Sequence, residues 1–159
     1  MMNDNEIFKK ELETSLFHEY GHYAVCESCG ANCWVEIEYN ENYNPDKFGG
    51  DRMVYGTCKA YINNLSDEQK LRVGLAGEVC EYLSKLKDIQ SFNSNNLDDI
   101  FKLHEYLEET NFSDTDHALL GEWWFEDLQP VIDVVNLLKK EWNNINSKVQ
   151  FEMHWRLSE

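Results

Sequence analysis

The chain has 159 residues, of which 42% are hydrophobic and 13% aromatic, so one domain with a continuous apolar core is expected. Its formal net charge of -16 repels phosphate backbones and anionic lipid surfaces, which excludes nucleic acid and membrane surfaces as expected partners. No apolar run approaches the roughly 20 residues that span a bilayer, and the first residues lack a secretory signal, so a cytoplasmic location is expected.

The first part of the chain predicts a long helix followed by two strands. Apolar and small residues recur at helical spacing from about residue 5 to residue 28, and Gly30 stands where such a helix would end. Residues 33–40 alternate apolar and polar side chains, and residues 52–62 are rich in β-branched and aromatic ones, so each segment predicts a strand. Because a connection rich in Asn, Pro, Asp and Gly separates them, we expect a small antiparallel sheet.

Helical patterns fill the rest of the chain. Ser66 and Gln69 form a capping-box pattern at the start of the first of them. The predicted helices cover about 66–87, 97–109, 113–128 and 130–145. The sequence therefore predicts one α+β domain over residues 1–159, mainly helical with about five helices, and with the small sheet inserted after the first helix.

The first predicted helix contains the pattern His18-Glu19-x-x-His22. Positions i and i+4 share one face of a helix, so the two imidazoles can bind the same metal ion. Glu19 is close enough in sequence to reach a water molecule bound to that ion. Because zinc acidifies its water and polarises carbonyl oxygens, the pattern predicts a zinc hydrolase with Glu19 as the general base. The alternative is a surface helix with two solvated histidines.

A catalytic zinc site needs a third protein ligand and leaves a fourth position for water. The start of the third helix offers Asp98 and Asp99 for this role. Asp114 and Asp116 are weaker candidates, because their positions are typical of residues that begin a helix. Asp99 could also be a capping residue and not a ligand, since an aspartate at a helix start is often a cap.

Three cysteines follow the histidine pattern directly, at positions 26, 29 and 33. A thiolate metal site would need a fourth ligand such as Cys58, whereas structural zinc sites usually pair two short cysteine spacings. Cys26 and Cys29 continue the first helix, where free cysteine is ordinarily a small buried hydrophobe. We therefore interpret residues 26–33 as the end of the helix and the turn into the first strand, with reduced thiols that pack.

The order of these parts resembles the peptidase domain of the FtsH-type ATP-dependent zinc metalloproteases. In that family a helix with His-Glu-x-Gly-His is followed by two strands, a helix whose small-residue stretch ends in glutamate, and a helix whose Asp-(Leu/Ile) aspartate binds the metal. The counterparts are "HEYGH" at 18–22, the strands "WVEIEY" and "VYGTCKAY", "GLAGEVCEYL" at 74–83 and "NNLDDIFKL" at 95–103. The resemblance covers about residues 12–115.

The resemblance implies a complete zinc site. It makes His18, His22 and Asp99 the ligands of Zn²⁺, with Asp98 as the fallback, and Glu19 the general base. It also implies that the second strand lies beside the metal and pairs with an extended peptide. The expected substrate edge is Val54, Tyr55, Gly56 and Thr57.

These residues favour a zinc-dependent metalloendopeptidase that cleaves protein or peptide substrates. The sequence holds no Walker phosphate loop, so we expect cleavage of unfolded or flexible segments unless an ATPase binds in trans. A catalytically silent domain of the same fold, acting as a protein-binding inhibitor or adaptor, is the alternative, although such a module has no need of Glu19. A structural zinc protein built on the cysteines is a third hypothesis. The sequence leaves open whether the chain forms a homo-oligomer.

Overall fold

The computed structural model describes residues 2–158, and within them the chain forms six α-helices and one two-stranded sheet. In chain order the elements are α1 Asp4–Ser28, β1 Cys33–Tyr39, β2 Val54–Ala60, α2 Asp67–Ser84, α3 Leu97–Glu109, α4 Asp114–Leu120, α5 Gln129–Lys140 and α6 Trp142–Leu157. Short 3-10 turns precede α3 and α5. The mainly helical α+β fold predicted from the sequence is confirmed, with one helix more than expected.

Local signals fix both ends of α1. Asn3 and Glu6 form a capping box, in which each side chain accepts a hydrogen bond from the other residue's backbone N–H. After the last turn, Gly30 takes a positive φ of 77°, a conformation that glycine adopts without strain. The Ala31 N–H then donates to the Cys26 carbonyl at 3.0 Å and closes the helix end. The predicted turn into the first strand is therefore confirmed.

The sheet has one face toward α1 and one toward solvent. Its strands are antiparallel, with Cys33 opposite Ala60 at one end and Tyr39 opposite Val54 at the other. Because side chains alternate along a strand, the inward positions of β2 are every second residue from Val54. Gly56, two residues on, lies against the Glu19 side chain of α1. The sheet therefore covers the helix that carries the histidine pattern.

Two of the predicted helices are shorter than expected. The fourth ends at Leu120, because Gly121 follows with a φ of 76° and a right-handed helix cannot continue through that conformation. The fifth is divided at Glu141 into α5 and α6. This break lets α5 pack mainly on α2 while α6 packs mainly on α1.

Close packing of α1 on α2 organises the core and positions the site. Gly21 makes this approach possible, since a Cβ there would lie 2.5 Å from Cys80 Cβ and 2.6 Å from the Ala76 carbonyl oxygen. Helix α4 also packs on α2, near the same end of α1. Among residues 2–158, no helix combines the length and the apolar character needed to cross a membrane.

Candidate metal centre

His18 and His22 lie one turn apart on α1 and aim the same ring nitrogen at one point. Their Nε2 atoms are 3.1 Å apart. His22 Nδ1 donates to the Val73 carbonyl at 2.6 Å, and His18 Nδ1 donates to Glu81 Oε1 at 3.1 Å. When both rings are neutral with the proton on Nδ1, the form that binds a metal ion, each ring keeps a lone pair on Nε2. Two lone pairs at this distance repel each other unless a cation lies between them.

A carboxylate from α4 completes the group. Asp116 Oδ2 lies 3.2 Å from His22 Nε2 and 3.5 Å from His18 Nε2. The residue is 8% exposed, and it shares the buried face of α4 with Leu120. Ser113 caps this helix by accepting a hydrogen bond from the Asp116 N–H at 3.2 Å. The first turn of α4 therefore holds the carboxylate against the two histidines.

Asp99, the aspartate that the sequence favoured as third ligand, contacts other groups. Its Oδ2 accepts a hydrogen bond from the Asn93 N–H at 2.9 Å, and its own N–H donates to Asn96 Oδ1. Asp98 also begins α3 and is exposed. Neither aspartate lines the cleft that holds the histidines. The structure instead brings Asp116, one of the weaker candidates, to the histidine pair.

The spacing of the three atoms suits zinc. Ligands at about 2.0–2.1 Å from a tetrahedral ion are separated from one another by about 3.3–3.5 Å. The observed separations are 3.1, 3.2 and 3.5 Å. Two imidazole nitrogens and one carboxylate oxygen are also a ligand set that zinc hydrolases use. The residues present therefore fit a three-ligand zinc site with one open position.

Gly77 on α2 makes room for this group. A Cβ at Gly77 would lie 2.5 Å from His18 Nε2 and would also overlap with His22 Nε2. Any larger residue would displace one of the imidazoles. The small-residue stretch of α2 thus has a steric role at the site.

The charges around the site favour a bound cation. Burial alone would lower the pKa of His18, but hydrogen bonds with Asp116 and Glu81 outweigh it and raise the pKa to about 10. Burial likewise opposes ionisation of Asp116, and the hydrogen bonds from the two histidines nevertheless hold its pKa far below the ordinary value. The surroundings therefore stabilise positive charge at the point where the three side chains meet.

Glu19 lies beside the three proposed ligand atoms and is not itself one of the proposed ligands. It is buried, and one of its carboxylate oxygens is within 4.8 Å of ring nitrogens of both histidines. Gly56 of β2 fits against it, because a Cβ there would be 2.7 Å from Glu19 Cγ. At this distance the carboxylate could contact an ion held by the two histidines, or a water molecule bound to that ion.

A cleft of about 610 Å³ opens onto these residues. Gly56 and Thr57, two of the four residues predicted to form the substrate edge, line it. Val54 is instead buried at 1% exposure, and Tyr55 points to the outer face of the sheet with 43% exposure. The structure thus brings only half of the predicted substrate edge to the cleft. Cys58, which was not part of that prediction, also lines the cleft.

Two glutamates on α2 form the acidic wall of the cleft. Glu81 orients His18 through the hydrogen bond described above, an arrangement that fixes the tautomer of a metal-binding imidazole. Glu78 accepts a hydrogen bond from the Tyr106 hydroxyl at 3.1 Å. Burial and the neighbouring Glu81 raise the pKa of Glu78. The sequence suggested no role for either glutamate, although both follow Gly77 on one turn of the helix.

Sequence comparisons identify no family for this chain. No family model matches it, and no curated protein sequence matches it either. The resemblance to FtsH-type peptidases therefore stays a prediction from the motifs.

Proposed function

We propose that this chain is a zinc-dependent endopeptidase that cleaves unfolded or flexible protein segments. The observation that carries the proposal is the convergence of His18 Nε2, His22 Nε2 and Asp116 Oδ2 beside the buried carboxylate of Glu19. A metal site that only stabilises a fold is usually closed by four protein ligands, whereas a catalytic one leaves a position open. A buried glutamate next to an open position is costly unless it serves the reaction.

Each side chain has a defined part in the proposed mechanism. When bound, zinc supplies the Lewis acidity that makes water nucleophilic near neutral pH and polarises a peptide carbonyl. His18, His22 and Asp116 hold the ion, and Glu81 keeps the His18 ring oriented. Glu19 accepts the proton of the attacking water and passes it to the leaving amine.

The backbone of β2 supports an extended substrate. In the described part of the chain, β2 pairs with β1 on one side and has no strand on the other. Gly56 and Thr57 lie on the cleft wall next to Glu19. An extended segment that adds to this edge would carry its peptide bond past the metal ligands. Because only an unfolded or flexible segment can adopt that conformation, folded proteins would first need an ATPase acting in trans.

The test combines metal content with proteolysis. Wild-type protein, Glu19→Gln and His22→Ala are loaded with zinc, dialysed, assayed for bound zinc and incubated with casein. We expect Glu19→Gln to retain zinc and to lose roughly 10²–10⁴-fold in cleavage rate, because it lacks the proton acceptor. His22→Ala is expected to lose both zinc and activity. Equal cleavage by wild type and Glu19→Gln would contradict the proposal.

A protein-binding inhibitor or adaptor without catalysis is the second candidate. It is favoured by exposed aromatic side chains after α4, where Trp123 is 66% exposed and its ring centroid lies 6.1 Å from that of Phe125. Exposed aromatic residues are typical of protein interfaces. Two results together would support this candidate. Zinc-loaded wild type would cleave several unfolded substrates no faster than Glu19→Gln, and Trp123→Ala would lose binding to a captured partner.

A further inference from the structure

Four aromatic rings form a continuous patch that runs from the cleft to the surface. Phe112 lines the cleft, and its ring centroid lies 5.8 Å from that of Trp124. The Trp124 ring lies 6.2 Å from that of Phe125, which in turn lies 6.1 Å from that of Trp123. We call these four residues the aromatic patch. The proposed mechanism uses none of them.

The turn between α4 and α5 leaves two of these rings open to solvent. Its middle ring, Trp124, is half-buried, because it packs on Phe112 and on the His104 ring at 5.6 Å. On either side of it, Trp123 is 66% and Phe125 43% exposed. Rings that stay in water forgo most of the free energy that burial would supply, so the fold gains little from them. Exposed aromatic residues on an anchored turn are typical of a contact surface.

The charge of this region has one sign. Between Lys102 and Lys139 the sequence holds nine Asp or Glu residues and no Lys or Arg. Glu122, Glu126 and Asp127 flank the aromatic patch in sequence, and all three are exposed. Among residues 2–158, Lys and Arg side chains form four ion pairs, none of which involves these three carboxylates. Negative charge without a cationic partner therefore lies next to exposed aromatic faces.

Aromatic faces beside carboxylates favour a bound cation. The face of an indole or phenyl ring attracts an ammonium or a guanidinium group, and Trp does so most strongly. Elsewhere the chain makes this contact internally, since the Arg156 guanidinium lies 5.2 Å from the Trp155 ring centroid. No Lys or Arg of residues 2–158 lies in this way over Trp123 or Phe125. A cation at the aromatic patch would therefore come from another molecule.

We propose that the aromatic patch and its three flanking carboxylates bind a flexible, Lys- or Arg-rich segment of a partner protein. The 6.1 Å between the two exposed ring centroids is close to the spacing of about 6.4–6.8 Å between alternate side chains of an extended chain. Basic side chains at every second position can thus lie over Trp123 and Phe125 in turn. Charge favours this partner over a second copy of the chain, because two copies with a net charge of -16 repel each other.

The position of the aromatic patch next to the cleft identifies the partner as a substrate, and this part of the inference rests on the proposed function. Phe112 belongs both to the patch and to the wall of the cleft. A segment held at Trp123 and Phe125 therefore raises the local concentration of the neighbouring chain beside the proposed metal ligands. We expect preferred substrates to carry basic residues close to the bond that is cleaved.

The binding test uses the full zinc-loaded chain with Glu19→Gln, so that the peptide stays intact. A short labelled peptide in which Arg alternates with Ser is titrated by fluorescence anisotropy, and matched peptides carry Glu or Gln in place of Arg. We expect only the Arg peptide to bind, with an affinity that weakens as salt is added. Equal binding of the Glu peptide, or no binding of the Arg peptide at low salt, would overturn the proposal.

Substitutions in the same background locate the binding surface. Trp123→Ala should weaken binding of the Arg peptide about 3–30-fold, because a cation–π contact is lost. Trp155→Ala removes an exposed ring from α6 and is the matched control, with unchanged binding expected. Glu126→Gln should weaken binding about 2–5-fold, and Glu41→Gln, which removes the same charge at another exposed position, should have a smaller effect. Unchanged binding by Trp123→Ala, or an equal loss in Trp155→Ala, would contradict the assignment.

Light scattering on the same proteins tests a second copy of the chain as the occupant. We expect Trp123→Ala and its parent to have the same mass in solution. A dimer that Trp123→Ala dissociates would show that a second copy covers the aromatic patch, and it would overturn the proposal.

Cleavage assays separate this surface from the proposed catalysis. Two fluorogenic peptides share one cleavable sequence, and one of them carries an additional Arg-rich extension. With the wild-type chain we expect the extension to lower KM severalfold with little change in kcat, and Trp123→Ala to remove that advantage. An extension that leaves KM unchanged would overturn the substrate role. If wild type cleaves neither peptide while Glu19→Gln binds the Arg peptide, the binding surface is supported and the proposed function fails.

Discussion

Asp116 and Asp99 show how burial separates two aspartates that both stand in the first turn of a helix. Asp116 is 8% exposed and faces two imidazoles. Asp99 is partly exposed and accepts a hydrogen bond from the Asn93 backbone. A carboxylate at a helix start needs no buried partner, because the helix dipole and solvent already favour its charge. A buried one needs positive charge beside it, which a metal ion supplies.

Alanine substitutions at these two positions are expected to have opposite effects on metal content. Asp116→Ala removes one of the three proposed ligand atoms, so bound zinc should fall from about one ion per chain to near zero after dialysis. Asp99→Ala should keep its zinc and lose about 0.5–1.5 kcal/mol of unfolding free energy with its hydrogen bond. Metal analysis and urea unfolding measure both quantities. Zinc retained by Asp116→Ala, or lost by Asp99→Ala, would contradict the proposed ligand set.

Gly77 is a second single position on which the site depends. Alanine there should improve the intrinsic helix propensity of α2 by about 0.8–1 kcal/mol. Its Cβ would nevertheless overlap with both Nε2 atoms, so we expect overpacking to cost about 1–3 kcal/mol and zinc binding to be lost. Metal analysis and thermal unfolding measure the two effects. Zinc binding by Gly77→Ala as tight as that of wild type would contradict the steric role proposed for Gly77.

At the scale of elements, local signals predicted much of the fold and tertiary packing decided the rest. The helical spacing over residues 5–28, the capping residue Ser66 and the alternation in the strands act within a few residues, so α1, α2 and the sheet can be located from sequence. The break at Glu141 could not, because it depends on which helix each half packs against. The position of Asp116 beside the histidines also depends on packing, that of α4 on α2.

A signal for Asp116 was nevertheless present in the sequence. Asp116 and Leu120 are four residues apart, so on a helix they share one face. An acidic residue on the apolar face of a helix is unusual, since buried carboxylates are rare without a partner. The Asp-Ile pattern at residues 99–100 favours Asp99 only through the family resemblance, and Ile100 is the buried residue of that pair while Asp99 is not. Burial inferred from periodicity would have ranked Asp116 first.

The N-cap of α4 gives a prediction at the scale of an element. Ser113→Ala removes the acceptor of the Asp116 N–H, so stability should fall by about 0.5–2 kcal/mol. We also expect zinc affinity to fall severalfold, because that turn positions the carboxylate. Ser66→Ala is the matched control, since it removes the equivalent cap of α2, which carries none of the proposed ligands. Zinc affinity measured far below the unfolding temperature should respond to Ser113→Ala and not to Ser66→Ala.

At the scale of the whole molecule, the proposed zinc site connects parts of the chain that are far apart in sequence. His18 and His22 come from the first helix, and Asp116 comes from the fourth. Both helices pack on α2. A metal ion bound to all three side chains would therefore hold α4 against α1 across the surface of α2, and the unfolded chain has no comparable site. Zinc binding and folding should consequently be coupled.

This coupling predicts a metal-dependent melting temperature. A ligand at 100 times its dissociation constant, bound only by the folded state, adds about 2.7 kcal/mol to the unfolding free energy. For a domain of this size about 1 kcal/mol corresponds to 2–4 °C, so saturating zinc should raise the midpoint by roughly 5–10 °C and a chelator should reverse it. Asp116→Ala should show no shift, whereas Glu19→Gln should show the full one, because Glu19 contributes to the proposed reaction and not to metal binding. If Asp116→Ala were stabilised by zinc as much as wild type, the ion would be held by other residues, and the link from α1 to α4 would have to be abandoned.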